Sequence, residues 1–395
     1  MHPFLRKIFE ATRLTRQGRI AEATAAIRDA VSPSMQAGTH FDDDAVGDVI
    51  DVDVVEVPTA EALDAVETVP GSLALLEEPA DAFEPAARSG AEPVAGRFVE
   101  SSFTSGAGTR GFKLFVPGGY DGDTLPLVVM LHGCTQDPDD FAAGTRMNAI
   151  AQEQGFLVLY PAQAQRANGQ RCWNWFSPQH QRRGRGEPAL IAAMTRHVVQ
   201  THSVDRERVY VAGLSAGGAM AAILAREYRD LFAAAGVHSG IVPGVARDVA
   251  SALAVMRSGP DAAPTPLTAF ERTPSTSGSA PLIVFHGDAD RTVAIANADA
   301  VLAGAIADAP VVATTSEGMA ATGERAFRRT IWRRADDAGA PSVAEHWVVH
   351  GAAHAWSGGD ASGSFTDPSG PDASREMLRF FAEHPRAALL AEASP

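Results

Sequence analysis

The chain has 395 residues, a net charge of −15 and a pI of about 5.2. At 45% hydrophobic and 21% charged residues it has an ordinary globular composition, with room for two to three domains or one large α/β domain with appendages. The acidity argues against nucleic acid as a general partner, two cysteines are too few for a disulfide scaffold or a Cys-rich zinc site, and no apolar run approaches the roughly 18 residues of a membrane span.

The charge is uneven along the chain. Residues 1–31 hold six basic and three acidic side chains, a net of +3. Apolar residues Leu5, Ile8, Phe9, Leu14, Ile20, Ala23 and Ile27 recur there at helical spacing, with Gly18 able to split the run into a hairpin. This segment is either a small docking hairpin or a helix packed on the main domain. Its scattered charges leave no apolar core for a secretory signal, which predicts a cytoplasmic protein. Residues 32–87 hold fourteen acidic side chains and no Lys or Arg, which leaves a net of −4 for residues 88–395. A proline-interrupted segment of that charge cannot bury enough apolar surface to fold alone, so 32–95 reads as an acidic linker. Within it, the alternating run 49–57 could form an edge strand or a docking segment.

From residue 96 to 388 strand-length apolar runs alternate with helix-length periodic ones, the grammar of a mostly parallel, doubly wound α/β sheet with helices on both faces. The first predicted strand is Phe112–Val116. The second, Leu127–Leu131, runs into His132-Gly133-Cys134-Thr135-Gln136, a strand-to-loop turn of the kind that offers a backbone amide to an oxyanion. The amide donor would be that of Cys134; its thiol lies in an oxyanion loop and is a poor candidate nucleophile. A helix over Met147–Gln154 and a strand over Phe156–Tyr160 precede a long polar loop, 161–187, with the aromatic knot Cys172-Trp173-Asn174-Trp175-Phe176 at its centre. Long loops inside compact domains are more often functional than idle.

After a helix over Pro188–Thr201 comes the sharpest local signal. The strand Val209–Ala212 leads through Gly213-Leu214-Ser215-Ala216-Gly217 into a helix over Gly217–Tyr228. This is G-x-S-x-G in the strand–turn–helix context of a nucleophile elbow. The serine must sit on a strained turn where a Cβ at either glycine would clash, and the Ala216 amide at the helix start would be the second oxyanion donor. A strand over Ala233–Val237 is followed by an excursion, 241–280, which is rich in Pro, Ser, Thr and Gly towards its end. Such a fold supplies its acid and base later in the chain, after further strands. The strand Leu282–Phe285 leads into Asp288 and Asp290; Asp290, further into the loop, is the better partner for an imidazole, while Asp288 braces the turn. A helix over Ile295–Ile306 and a strand over His346–Val349 lead to His354, in a loop of small residues suited to a general base. His346, His350 and His354 are spaced by four, but the intervening residues argue strand and turn, so no metal site and no cofactor is predicted. A last helix spans Ser374–Glu383.

Together, LHGCTQ (131–136), CWNWF (172–176), GLSAGGAM (213–220), FHGDADRTV (285–293) and GAAHAWSGG (351–359) resemble the poly(3-hydroxybutyrate) depolymerase family of esterases. These are α/β-hydrolases related to feruloyl and acetylxylan esterases, and the resemblance covers about 98–385. It implies a serine esterase with Ser215 as nucleophile, Asp290 as acid, His354 as base and the Cys134 and Ala216 amides as oxyanion hole. It also implies an apolar docking wall from Trp173, Trp175 and Phe176, to which Trp356 is added as a substrate-binding candidate. In secreted relatives a disulfide can tie the oxyanion loop to its surroundings, so Cys134 and Cys172 are expected to lie close together, their oxidation state open. No segment of this sequence reads as the substrate-binding or linker domain that secreted polymer depolymerases append to grip granules. The implied partner is therefore an ester substrate, a short-chain ester or soluble hydroxyalkanoate oligomer before a crystalline polyester. The rivals are a feruloyl or acetylxylan esterase, a peptidase or acyltransferase, and a non-catalytic binding protein on the same fold.

Overall fold

The computed structural model describes residues 95–262, 279–307, 310–320, 324–337 and 339–386. The predicted N-terminal helices, the acidic linker up to residue 94 with its run 49–57, and residues 263–278 of the excursion lie outside the described residues.

The described residues form a ten-stranded sheet. Its strands are β1 (Arg97–Ser105), β2 (Gly108–Val116), β3 (Leu125–Leu131), β4 (Leu157–Pro161), β5 (Val204–Leu214), β6 (Ala234–His238), β7 (Leu282–Gly287), β8 (Val311–Met319), β9 (Ala326–Arg334) and β10 (Ala344–Val349). The spatial order is β1-β2-β4-β3-β5-β6-β7-β10-β9-β8. The six strands from β4 to β10 are parallel, and antiparallel pairs close both edges. A short ladder joins β11 (Trp356–Ser357) to β12 (Thr366–Asp367). This is the α/β-hydrolase arrangement.

The central strands are buried on both faces, which is why they read as continuous apolar runs rather than alternating ones. Their side chains divide by parity. Leu127, Val129, Val209 and Val211 face a core shared with α3 (Gly186–Thr201), α4 (Ala216–Glu227), α5 (Val249–Ser258) and α6 (Ala296–Ile306). Val128, Met130, Tyr210 and Ala212 face the opposite core, against α1 (Pro138–Thr145), α2 (Met147–Gln154) and α7 (Ala373–Glu383). There Tyr210 stacks on Phe381 with ring centroids 4.7 Å apart.

The outer elements differ from expectation. Strands β1, β8 and β9 were not predicted, and neither were α1 and α5. In β9, AFRRTIWRR, four arginines hide the strand pattern. Arg329, itself half-buried, forms a two-pronged pair with buried Glu345 of β10, at 3.1 and 3.0 Å. Helix α5 sits inside the predicted excursion, and its start is a reciprocal cap between Asp248 and Ser251.

Candidate active site

Strands β3, β5, β6, β7 and β10 end side by side, and the predicted site residues follow four of them. Ser215 occupies the turn between β5 and α4 with φ 59° and ψ −117°, a left-handed backbone that costs of order 1–3 kcal/mol in a residue with a side chain. Crowding enforces the turn. A Cβ on Gly213 would come within 2.5 Å of the Gly217 carbonyl oxygen, and one on Gly217 would overlap the carbonyl of Leu131. The Ser215 N–H donates to the carbonyl of His238, at the end of β6, at 2.9 Å, and its side chain caps nothing.

The loop after β3 lies against this turn: a Cβ built on Gly133 would sit 3.7 Å from that of Ser215. Its shape is set from within. Buried Gln136 accepts the Gly133 N–H at 2.9 Å and donates to Asp140 and to the Ser364 carbonyl, both at 3.0 Å. His132 accepts the Gln163 N–H at Nε2, so its proton sits on Nδ1, which donates to the Gly133 carbonyl at 2.8 Å. Burial lowers the pKa of His132 to about 4, which keeps the ring neutral. Among the described residues the N–H groups of Cys134 and Ala216 have no acceptor, and these are the two predicted oxyanion donors.

Four bonds tie this loop to 170–173, the start of the segment that carries the aromatic knot. Cys134 and Cys172 form a disulfide, their Cα atoms 4.2 Å apart. Thr135 N–H donates to the Gln170 carbonyl at 2.7 Å, Arg171 pairs with Asp137 at 3.2 Å, and the Trp173 indole donates to the His132 carbonyl at 3.2 Å. Behind the knot, buried Glu187 accepts from Gln163, the Asn174 backbone and the Asn174 side chain.

On the other side, Asp290 Oδ2 accepts from His354 Nδ1 at 2.7 Å, and Oδ1 accepts the Thr292 and Val293 amides at 2.8 Å each. Burial works against the Asp290 carboxylate, but His354, the Val293 amide and nearby His286 outweigh it and hold its pKa below the ordinary value. Asp288 takes the bracing position: it accepts the Gly351 N–H and His350 Nδ1, each at the base of the His354 loop. No hydrogen bond joins Ser215 to His354 among the described residues; in ligand-free sites such bonds are often long.

The aromatic candidates separate. Trp173 is fully buried and holds the His132 carbonyl from beneath. Trp356, expected as a substrate-facing wall, is 1% exposed, packs between Phe141 and His238, and donates to Ser374, which places it in the core of the described residues. Trp175 is also buried, edge-on to Phe176, which alone in the knot's aromatic set stays partly open. Sequence reasoning missed Phe365. It is 45% exposed, has a left-handed backbone at φ 53° and lies edge-on to His354 at 6.5 Å. Its neighbour Ser364 is bonded to Gln136 of the oxyanion loop, and no motif marks the position.

A family model described as "Esterase PHB depolymerase" matches residues 110–325. The chain belongs to this family. It is 36% identical over 200 residues to poly(3-hydroxyalkanoate) depolymerase C of Paucimonas lemoignei, covering 50% of this chain and 48% of that protein. It is 35% identical over 140 residues to feruloyl esterase B of Thermothelomyces thermophilus, covering 35% of this chain and 47% of that one. The chain thus spans just under half the length of these curated relatives. Among solved structures, the acetyl xylan esterase from Aspergillus awamori matches 71% of this chain and 99% of its own, at 22% identity and a TM-score of 0.49.

Proposed function

We propose that this member of the family is a serine esterase acting on short-chain or hydroxyalkanoate-type carboxylic esters. The observation that carries the reading is the turn at Ser215: a strained serine that caps nothing, at the start of a helix whose first amide is free. In the proposed cycle Ser215 Oγ attacks the ester carbonyl as its proton passes to His354 Nε2. The oxyanion rests on the Cys134 and Ala216 amides. The alcohol leaves with the proton from His354. Water then gives a proton to His354 and attacks the acyl-enzyme, releasing the acid and restoring Ser215. Asp290 remains ionised throughout and keeps the His354 proton on Nδ1. The Cys134–Cys172 bond is of the kind that persists in oxidising compartments, which weighs against the cytoplasmic placement expected from the N-terminal sequence.

The test is turnover of a short-chain nitrophenyl ester, followed by a panel of butyrate, 3-hydroxybutyrate oligomer, feruloyl and acetylxylan substrates. Ser215→Ala should lower kcat by at least about a thousandfold while melting like the parent. Retained turnover in the variant, or no turnover by the parent on any ester, overturns the reading.

A further inference from the structure

Ser215 and His354 come from different elements, and one residue outside every recognised motif bonds to both neighbourhoods. His238 closes β6, in register with Leu214 of β5 on one side and Phe285 of β7 on the other. Its carbonyl accepts the Ser215 N–H at 2.9 Å. Its ring accepts the N–H of Ser357, three residues beyond His354, at Nε2 and 3.0 Å. The ring is 1% exposed and lies between Phe285 and Trp356, near-parallel to both, with centroids 5.8 and 5.2 Å away.

These contacts dictate the protonation of the ring. An amide N–H can only donate, so Nε2 carries no proton; the ring proton sits on Nδ1 and faces Ser239 Oγ at 3.3 Å. A second proton would set N–H against N–H at Ser357. The titratable groups nearby are Asp290, His286 and His354, and burial with the two histidines pushes the pKa of His238 down to about 3. Burial and the Ser357 bond thus both favour the neutral ring with Nε2 as acceptor.

The segment between β10 and β11 carries His354 and is held at two ends. Asp288 secures its start through the Gly351 amide, and His238 secures its finish through the Ser357 amide. We propose that His238 is a positioning residue that sets the His354 imidazole against the Ser215 turn, bonding the turn through its carbonyl and the His354 loop through Nε2. The proposal rests on the esterase reading of this site.

Three proteins test it: the parent, His238→Leu, which keeps much of the volume but no acceptor, and His238→Gln, whose Oε1 can accept near the Nε2 position. With a nitrophenyl butyrate ester, His238→Leu should lose about tenfold to a hundredfold in kcat, the scale of a slightly misplaced catalytic group, with KM unchanged within about twofold. His238→Gln should recover most of that loss. The low-field proton resonance of the His354–Asp290 bond should broaden in the Leu variant and persist in the Gln variant. A Leu variant with parental kcat overturns the proposal, as does an equal loss in both variants. Nitrogen NMR of the parent supplies a check that needs no variant: Nε2 of His238 should be unprotonated at neutral pH, and a protonated Nε2 overturns the proposal even where His238→Leu fails to fold. Ser215→Ala retaining full turnover would instead sink the esterase reading, whatever the His238 variants do.

Discussion

The two walls of the candidate site are held by different kinds of bond. The oxyanion wall, 132–137, is fastened to 170–173, the start of the segment that carries the aromatic knot, by a disulfide, an ion pair and two hydrogen bonds, with buried Glu187 behind it. The acid–base wall, 286–293 and 349–357, has no covalent tie; it is held by hydrogen bonds accepted by Asp288, Asp290 and His238. A donor that stabilises charge works best when it does not move. In the proposed cycle the base exchanges a proton with a serine, an alcohol and a water, and so needs orientation together with some freedom. Five of the six non-glycine residues with positive φ among the described residues, Thr135, Arg171, Ser215, Ser239 and Phe365, border one wall or the other; the sixth, Arg146, joins α1 to α2.

The largest break should come from the acid–base wall. Asp290→Asn keeps the shape but presents an amide to His354 and favours the wrong imidazole tautomer. We expect kcat to fall by about a thousandfold to ten thousandfold with the fold intact. A loss under tenfold would mean that Asp288, already bonded to His350, can substitute.

The disulfide tests the other wall. Replacing both Cys134 and Cys172 by Ala frees the segment that the bond closes, with a sequence separation of 38, and should cost up to about 4 kcal/mol of stability in the chain-entropy account. Because the remaining hydrogen bonds still hold the loop, kcat should drop only about tenfold, less than for the loss of an oxyanion donor. Reduction of the folded parent should do the same. An unchanged kcat in both would show that the hydrogen bonds alone fix the Cys134 amide.

Acid should loosen both walls together. His132 and His238 are held neutral in the fold, with pKa values lowered to about 4 and about 3. The unfolded chain therefore takes up their protons first, near pH 6.5, and stability falls as pH drops below that value, continuing until the folded rings titrate. Between pH 7.5 and 5.5 the two rings should remove about 3 kcal/mol at most, seen as a fall in melting temperature. His238→Gln should flatten that slope by one proton. A melting temperature that is level across this interval would contradict the neutral, acceptor role of both rings.

Chain pattern made the inner architecture legible. Met147–Gln154 was predicted end to end, and the central strands showed as apolar runs because both their faces are covered. The edges were not legible, because β9 is dense in arginine and one of these, Arg329, is placed by Glu345 of a different strand, so that sequence shows the charge without its partner. The same limit applies within the site. The expected elbow, oxyanion loop and order of acid and base rest on local turns that a motif captures. The fate of an aromatic depends on what else arrives. Trp356 reads as a wall residue beside His354, yet Phe141 and Ser374, over two hundred residues earlier and about twenty later, take it into the core. His238 stands in an unremarkable strand end and gains its meaning only from Ser215 and Ser357.

Phe365 offers the smallest and most local test of how the walls meet. Its backbone is attached to both sides: Ser364 bonds Gln136 of the oxyanion loop, and the Phe365 carbonyl accepts the Trp356 N–H at 2.7 Å on the His354 side. The ring itself is left open to solvent beside the imidazole. An exposed ring in a strained conformation, bonded to both walls and packed edge-on to His354, is suited to cover the acyl or alcohol part of a substrate. Phe365→Ala removes that surface without touching a proton path. KM for a butyrate ester should rise about threefold to tenfold while kcat changes by less than about twofold, the signature of lost uniform binding. The rise should shrink for an acetyl ester, which has less apolar surface to cover. Should kcat fall instead with KM unchanged, Phe365 orients His354 rather than the substrate, and the acid–base wall is held by packing as well as by hydrogen bonds.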